Sequence, residues 1–459
     1  MRPRLEKNIL VISDLHLGED LRPAAATVSY LRGLARLERE LIAFLGHYTE
    51  HRLGGRPWRL VVNGDMVDFL SIQIMPDGEG ASGASTDDER RYGLGYGEVE
   101  SLTKLERVMV RHRQVFDAIG RFVAADNELV IITGNHDPEF HYPRVQRRLL
   151  DALAERGADP ARIRFCPWFY YEAEVVYVEH GHQYDDYCSF DYQLHPVEAR
   201  DGVAITLAHA GVRYFTNLVP QLNPHCTEQW GFFDYMRMLG AQGARGAARL
   251  LLFYASLIRK LIEVSARLTD RASDAARAEI HRARLRDLAA SYRIAVGTVE
   301  ALDRLHRPPV LKRLHKIACT LFLDRVLLVL FALVAVVITA LSAKGWWRLG
   351  GCAAVLVAGA VVNQILAHGR LLDSRELLRR TPEAIWRIVR APFIVFGHSH
   401  HAEQMALRGG GRYINTGAWL QDDDDYSHAF THLIITDDPG DELRARLCQW
   451  RDGASAPIE

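Results

Sequence analysis

Cysteine is scarce in this chain and shows no pattern: Cys166, Cys188, Cys226, Cys319, Cys352 and Cys448 fall without paired spacing among 459 residues. That excludes a disulfide framework and fits a reducing compartment. Charge of one sign is also lacking, because the net charge is −1. No global field therefore draws the chain toward nucleic acid, and no nucleic-acid partner is expected. The charged segment Met1 to Lys7 runs straight into an apolar stretch, which reads as the absence of a secretory signal. Internal repeats and low-complexity tracts are missing too. What is present is a chain 48% hydrophobic and 25% charged, long enough for a sizeable core and more than one structural unit.

Five short motifs stand out along it: Asp14-Leu15-His16, Gly64-Asp65-Met66-Val67-Asp68, Gly134-Asn135-His136-Asp137, His180-Gly181-His182 and Gly397-His398-Ser399-His400. Each follows a short run rich in Val and Ile: Asn8 to Ser13, Leu60 to Asn63, Leu129 to Thr133, Val175 to Glu179 and Phe393 to Phe396. Such runs predict strands, so every motif would stand at a strand's C-terminal tip, where open α/β sheets gather their ligands. Carboxylate, imidazole and carboxamide donors, with no cysteine among them, suit Mn, Fe or Zn and argue against a structural zinc site. The motifs hold more donors than one ion needs. Two divalent ions roughly 3.5–4 Å apart, with a hydroxide held between them, would clamp both oxygens of an in-line displacement at phosphorus. Taken singly, each motif is ordinary turn chemistry; five in order are not. Asp185 and Asp186 read as loop caps, and Asp422 to Asp425 as a solvated loop.

The series D-x-H, G-D-x-x-D, G-N-H-D, H and G-H-x-H resembles the calcineurin-like metallophosphoesterase superfamily over residues 8–188 and 392–450, and an Asn415-Thr416-Gly417 turn strengthens the likeness. The resemblance implies an α/β fold, a four-layer α-β-β-α sandwich. It also implies that Asp14, His16 and His400 bind a first ion, that Asn135, His180 and His398 bind a second, and that Asp65 bridges them. Mn is the ion it favours, with Fe or Zn as alternatives. His136 would stabilise the transition state or protonate the leaving oxygen, with its ring oriented by Asp68. His182 would be an outer contact or touch substrate.

Composition divides the chain further. Residues 1–190 and 392–459 read as the two parts of the core, 191–325 as a helical insertion, 326–367 as a membrane hairpin, and 368–391 as a helical return. Long helices are predicted over Ala24 to His47 and Glu98 to Ala125, and Pro76 to Gly97 reads as a surface loop, either bordering the substrate entrance or merely disordered. The insertion is arginine-rich, with Arg267, Arg271, Arg277, Arg282, Arg284 and Arg286, and reads either as a solvated helical subdomain or as a basic face lying on anionic lipid. Val326 to Ala343 contains no charge, and Leu349 to Ala367 is a second apolar run broken only by Asn363-Gln364. Each would extend about 27 Å as a helix, enough for a membrane hairpin. Lys344-Gly345-Trp346-Trp347-Arg348 would form an interfacial connector. Basic residues flank the pair on its outer sides (Lys312, Arg313, Lys316 and Arg325 before it; Arg370, Arg375, Arg379, Arg380 and Arg387 after it), which puts the catalytic part in the cytoplasm at the plasma (inner) membrane.

Asp68-Phe69 stands where protein phosphatases carry arginine and glycine, which disfavours a protein substrate. The stretches Ile12 to Gly18 and His180 to Asp185 are most similar to the UDP-2,3-diacylglucosamine pyrophosphatase branch, although that branch typically has arginine at the position of His136. The expectation is therefore a membrane-associated dimetal hydrolase for a lipid-linked or nucleotide-linked phosphoester or pyrophosphate, with membrane lipid as a partner. The alternatives are a general phosphodiesterase or phosphatase for soluble substrates and a membrane-anchored protein-binding scaffold.

Overall fold

The chain is described from a computed structural model, which covers residues 5–22, 28–75, 85–198, 202–219, 232–267, 271–368, 374–420, 429–437 and 443–458. The acidic run at 422–425 lies outside these described residues. In chain order the strands are β1 (Asn8–Ile12), β2 (Trp58–Asn63), β3 (Glu128–Ile132), β4 (Ile163–Cys166), β5 (Phe169–Glu172), β6 (Val176–Glu179), β7 (Val197–Glu198), β8 (Gly202–Val203), β9 (Phe393–Phe396), β10 (Ala402–Ala406), β11 (Arg412–Thr416), β12 (Thr431–Asp437), β13 (Leu443–Arg451) and β14 (Ala454–Pro457). They form two mixed sheets, ordered β14-β13-β12-β1-β2-β3-β4 and β10-β11-β9-β6-β5, and a small β7-β8 ribbon.

Strands β1 to β4 are parallel neighbours, with Ile12 opposite Val62 and Asn63 opposite Ile132, so their C-terminal ends finish nearly level. In the second sheet β6, β9 and β11 are parallel as well. The apolar runs are nearly continuous because both strand faces are buried, and successive side chains go to opposite sides. Ile9, Val11, Val61, Val130 and Ile132 join Val176, Val178, Phe393, Val395 and Ile414 of the other sheet in one cluster. Their neighbours Leu10, Ile12, Leu60, Val62, Leu129 and Ile131 pack instead with Leu41, Phe44, Leu45 and Tyr48. Those four line one face of the helix Val28–Glu50, at the spacing of an amphipathic helix.

The predicted helix over Glu98 to Ala125 is interrupted. Glu98–Arg111 and Arg113–Ala124 are separate, and His112 between them has φ −102° and ψ 31°. The cause is tertiary: Gly18 N–H donates to His112 Nε2 at 2.9 Å, and the other ring nitrogen meets Glu38. The helical segment is thus bent to brace the loop that follows β1.

The insertion is more closely joined to the core than a solvated subdomain would be. Leu285, Leu288 and Ala289 of the helix Arg271–Tyr292, Val299 and Leu302 of Val296–Asp303, and Ile385 of Pro382–Val389 pack with Phe169, Tyr177, Ile394, Phe396 and Tyr413 of the second sheet. Arg277 and Arg284 of the helix Arg271–Tyr292 turn toward residues 192–194: the first guanidinium lies 5.4 Å from the Tyr192 ring, and the second donates to Leu194 O.

Two helices, Leu323–Ser342 and Trp346–His368, are long and apolar enough to cross a membrane. They pack on each other and on little else, with 6% of the first apolar window buried and none of the second. The second helix begins at Trp346, so the expected five-residue connector shrinks to a turn at Ala343, Lys344 and Gly345. The polar break in the second run has a partner: the buried Arg325 donates to the side chain and the backbone carbonyl of Asn363.

Candidate metal centre

The loops after β1 and β2 continue to pair beyond the strands. His16 N donates to Asp65 O at 2.9 Å and Leu17 N to Met66 O at 3.0 Å. The second sheet is tied to the same place, because Gly397 N donates to His180 O at 3.0 Å and His398 N to Asp14 Oδ2 at 3.2 Å. This close approach requires glycine: a Cβ on Gly64, whose φ is +79°, would overlap the His180 ring, and one on Gly134 would overlap the Asp65 carboxylate. Five of the motif residues are themselves left-handed, with φ of 56° at Asp14, 44° at His16, 52° at Asp65, 65° at His398 and 58° at His400. Such backbone costs on the order of 1 kcal/mol or more per residue and persists only where the surroundings enforce it, most often at functional sites. It turns both outer members of Asp14-Leu15-His16 and of His398-Ser399-His400 into one crevice.

Asp14 Oδ1 lies 3.3 Å from His400 Nε2, 3.8 Å from His16 Nε2 and 3.9 Å from His180 Nε2. Asp65 Oδ2 lies 3.1 Å from His180 Nε2 and 3.7 Å from His16 Nε2. Asn135 Oδ1 is 3.1 Å from the same His180 nitrogen, whose ring is held from behind by Asn63 O at 2.8 Å from Nδ1. Among the described residues four groups could each hold a metal ion: Asp14, His16 and His400; His16, Asp68 and His136; Asp65, His180 and His398; and Asp185, Cys188 and His398. Among the described residues, the ion-pair partners of Asp14 and Asp65 are all imidazoles, with no lysine or arginine. Buried carboxylates whose ion-pair partners are imidazoles are a donor set that fits divalent cations.

Electrostatics agree. Burial alone would raise the Asp14 carboxyl, but His180, His16 and His400 hold it well below the ordinary range. Burial opposes the same direction at Asp65 and Asp68, where His180 and His136 respectively prevail. Burial should lower the imidazoles, yet Asp65 and Asp14 push His180 up to about 9, and Asp14 and Asp68 raise His16. Among the described residues Asp14 and Asp65 have no lysine or arginine as an ion-pair partner, so protonated imidazoles would neutralise them, and an ion entering the crevice would displace those protons.

His136 sits at the rim, 12% exposed, with Nδ1 2.9 Å from Asp68 Oδ1. Asp68 is fixed in turn by Ser71, whose N–H and hydroxyl donate at 3.0 and 2.6 Å. Burial lowers the His136 imidazole, and Asp68 with Asp65 more than offsets it. His182 is buried behind the crevice, its ring 5.4 Å from that of His180 and 6.4 Å from that of His398; its Nε2 lies 2.9 Å from Gln193 Oε1, and burial beside those two imidazoles pushes its pKa well down.

Further residues belong to the site. Asp137, the last member of the third motif, accepts from Gly134 N at 2.6 Å and Met66 N at 2.7 Å, so it fastens the third loop to the second. Asn415 donates to Gly397 O at 2.8 Å and Ser399 Oγ at 3.1 Å, which makes the Asn-Thr-Gly turn a brace for the last motif. Asp185 does act as a cap, accepting from Tyr187 N at 3.0 Å, but its other oxygen lies 3.3 Å from His398 Nε2. The sequence signal for a cap is present there, whereas nothing local marks the second contact.

No family model matches this chain, and no curated protein matches it either.

Proposed function

We propose that the chain is a metal-dependent phosphoester hydrolase of the calcineurin-like metallophosphoesterase type, working at a membrane face on a lipid-linked or nucleotide-linked phosphoester or pyrophosphate. The observation that carries this is the convergence of Asp14, His16, Asp65, Asn135, His180, His398 and His400 from two sheets on one buried crevice. The four-layer α-β-β-α reading is supported by the packing, since one cluster lies between the sheets and a separate helix-lined cluster covers each outer face. Separate groups around Asp14 and Asp65 support two ions, and oxygen and nitrogen donors suit Mn, with Fe or Zn as alternatives.

Divalent ions bound there would polarise phosphoryl oxygens and make water a better nucleophile at neutral pH. The remaining work falls to side chains. Asp68 holds His136 through Nδ1, so a proton passed to a leaving oxygen would come from Nε2. Ser71 keeps Asp68 from turning away. Asn135 Oδ1 and Asp65 Oδ2 both face His180 Nε2 at 3.1 Å, so the second and third loops are set to share one ligand field. The exposed apolar helix pair supports membrane attachment, and its basic flanks support a cytoplasmic site.

A hydrolysis panel on detergent-extracted protein tests this: a bis-aryl phosphodiester, phosphomonoesters, nucleotide-linked pyrophosphates and phospholipids, each with Mn and with chelator. Turnover that needs metal and favours lipid-linked or nucleotide-linked substrates is expected. Absence of turnover at every metal concentration would point to a scaffold, and strict preference for soluble mononucleotides would remove the lipid part.

A further inference from the structure

The crevice has a wall that the five motifs do not supply. Directly after the fourth motif the chain makes a tight turn: Cys188 N donates to Asp185 O at 3.1 Å and Ser189 N to the same carbonyl at 2.9 Å. A single turn thereby sets the Asp185 carboxylate and the Cys188 sulfur on one side, toward His398. All three residues are buried, and their ligand atoms lie within 4.8 Å of one another. The 3.3 Å between Asp185 Oδ2 and His398 Nε2 matches the edge of a tetrahedron around an ion with ligands at about 2.0–2.3 Å.

The turn is held from several sides. Gln183 exchanges two hydrogen bonds with the Phe190 backbone, at 3.0 and 2.6 Å. Asp186 pairs with Lys316, and its carbonyl accepts from Val310 N at 2.8 Å. This rigidity is what a preformed ligand set requires and is more than a surface cap needs.

We infer that Asp185, Cys188 and His398 form a thiolate-bearing metal site in the wall of the centre, open on its fourth side and suited to Zn or ferrous ion more than to Mn. The inference rests on the metal-centre reading above and adds ligands to it. Binding releases the Cys188 thiol proton to solvent as the metal–sulfur bond forms, and no electron is transferred. His398 is the shared element, common to the group with Asp65 and His180 and to the group with Asp185 and Cys188. Sulfur in the ligand set would make the chain select softer ions than its oxygen and nitrogen motifs indicate.

Cobalt(II) substitution of the metal-free full-length protein tests it. The expected spectrum has visible ligand-field bands and a near-ultraviolet sulfur-to-cobalt charge-transfer band. That band should be lost in Cys188→Ser, be titrated only at higher cobalt in Asp185→Asn, and persist in Cys319→Ser. Ligand-field bands without the sulfur band, or a sulfur band that survives Cys188→Ser, would overturn the inference while leaving the metal-centre reading intact. Failure to bind cobalt at all would overturn both. Zinc-edge X-ray absorption on the unsubstituted chain covers the case of a variant that does not fold: a sulfur scatterer at about 2.3 Å is expected, and a shell of nitrogen and oxygen alone would refute the site.

Discussion

Replacing Asp68 by asparagine removes one buried charge and alters which nitrogen of His136 carries a proton. In the native arrangement Asp68 Oδ1 lies 2.9 Å from His136 Nδ1, with both carboxylate oxygens also held by Ser71. Asparagine fits the same space, but it exchanges a charge-assisted hydrogen bond for a neutral one, or presents N–H to N–H. A hydrogen bond to a charged group contributes about 1.5–3 kcal/mol, so kcat should fall about 10- to 150-fold. KM should hardly move, because Asp68 is fully buried and does not reach substrate. The pH profile gives a second, independent sign. His136 is raised chiefly by Asp68 against burial, and a general acid works while protonated. Activity is therefore kept below the imidazole's folded pKa and lost as pH rises through it, and Asp68→Asn should move that alkaline limb to lower pH. The assay is kcat against pH on a phosphodiester, with metal content measured on the same samples. An unmoved alkaline limb would refute the role given to the pair. So would metal loss in proportion to rate, since Asp68 Oδ2 also lies 3.6 Å from His16 Nδ1 and would then be acting through that residue.

Metal affinity should fall about tenfold for each pH unit lowered below about 9, because Asp65 and Asp14, against burial, hold a proton on His180 up to about 9; competition with a chelator from pH 6.5 to 8.5 measures this, and a flat response would refute it. The same raised pKa stabilises the metal-free fold fully below the ordinary histidine value and less as pH rises through about 9, so the metal-free protein should melt earlier above that pH and the loaded protein should not. Asn363→Leu takes away a side-chain acceptor from the buried Arg325 guanidinium. A loss of about 1–3 kcal/mol is expected, read as a lower melting temperature in detergent, and an unchanged melt would show that the contact is idle.

The strand-end motifs were legible because a run of Val and Ile buried on both faces and stopped by Gly or a polar residue has few other interpretations. β9 falls on Phe393–Phe396 as expected, and β1, β2, β3 and β6 fall within two residues of their predicted bounds. β4, β5, β10 and β14 were not legible. They are short, and β10 is largely exposed with the sequence Ala-Glu-Gln-Met-Ala, so pairing with β11 rather than composition makes it a strand. The break at His112 depends on Gly18 and Glu38, far away in the chain. The cover of the second sheet was hidden for a related reason: in Arg271–Tyr292 the apolar residues Leu285, Leu288 and Ala289 crowd toward one end, after a long arginine-rich stretch that looks solvated. Asp185 shows the limit of local chemistry, since a carboxylate that caps a turn looks the same in sequence whether or not its second oxygen faces a histidine.

The order in which the ribosome delivers these pieces follows from the sheet topology. β9 pairs with β6, and β12 pairs with β1, yet both emerge only after the two apolar helices. A nascent chain that has reached the turn at Gly345 already carries Asp14, His16, Asp65, Asn135 and His180, but two of the seven residues of its centre are still unmade. His398 and His400 arrive last and close it. Under the membrane reading, anchoring precedes activity in time as well as in space: a chain stalled, cleaved or degraded before its final segment would be bound at the bilayer and inert, and no complete centre would exist before the anchor itself had been synthesised.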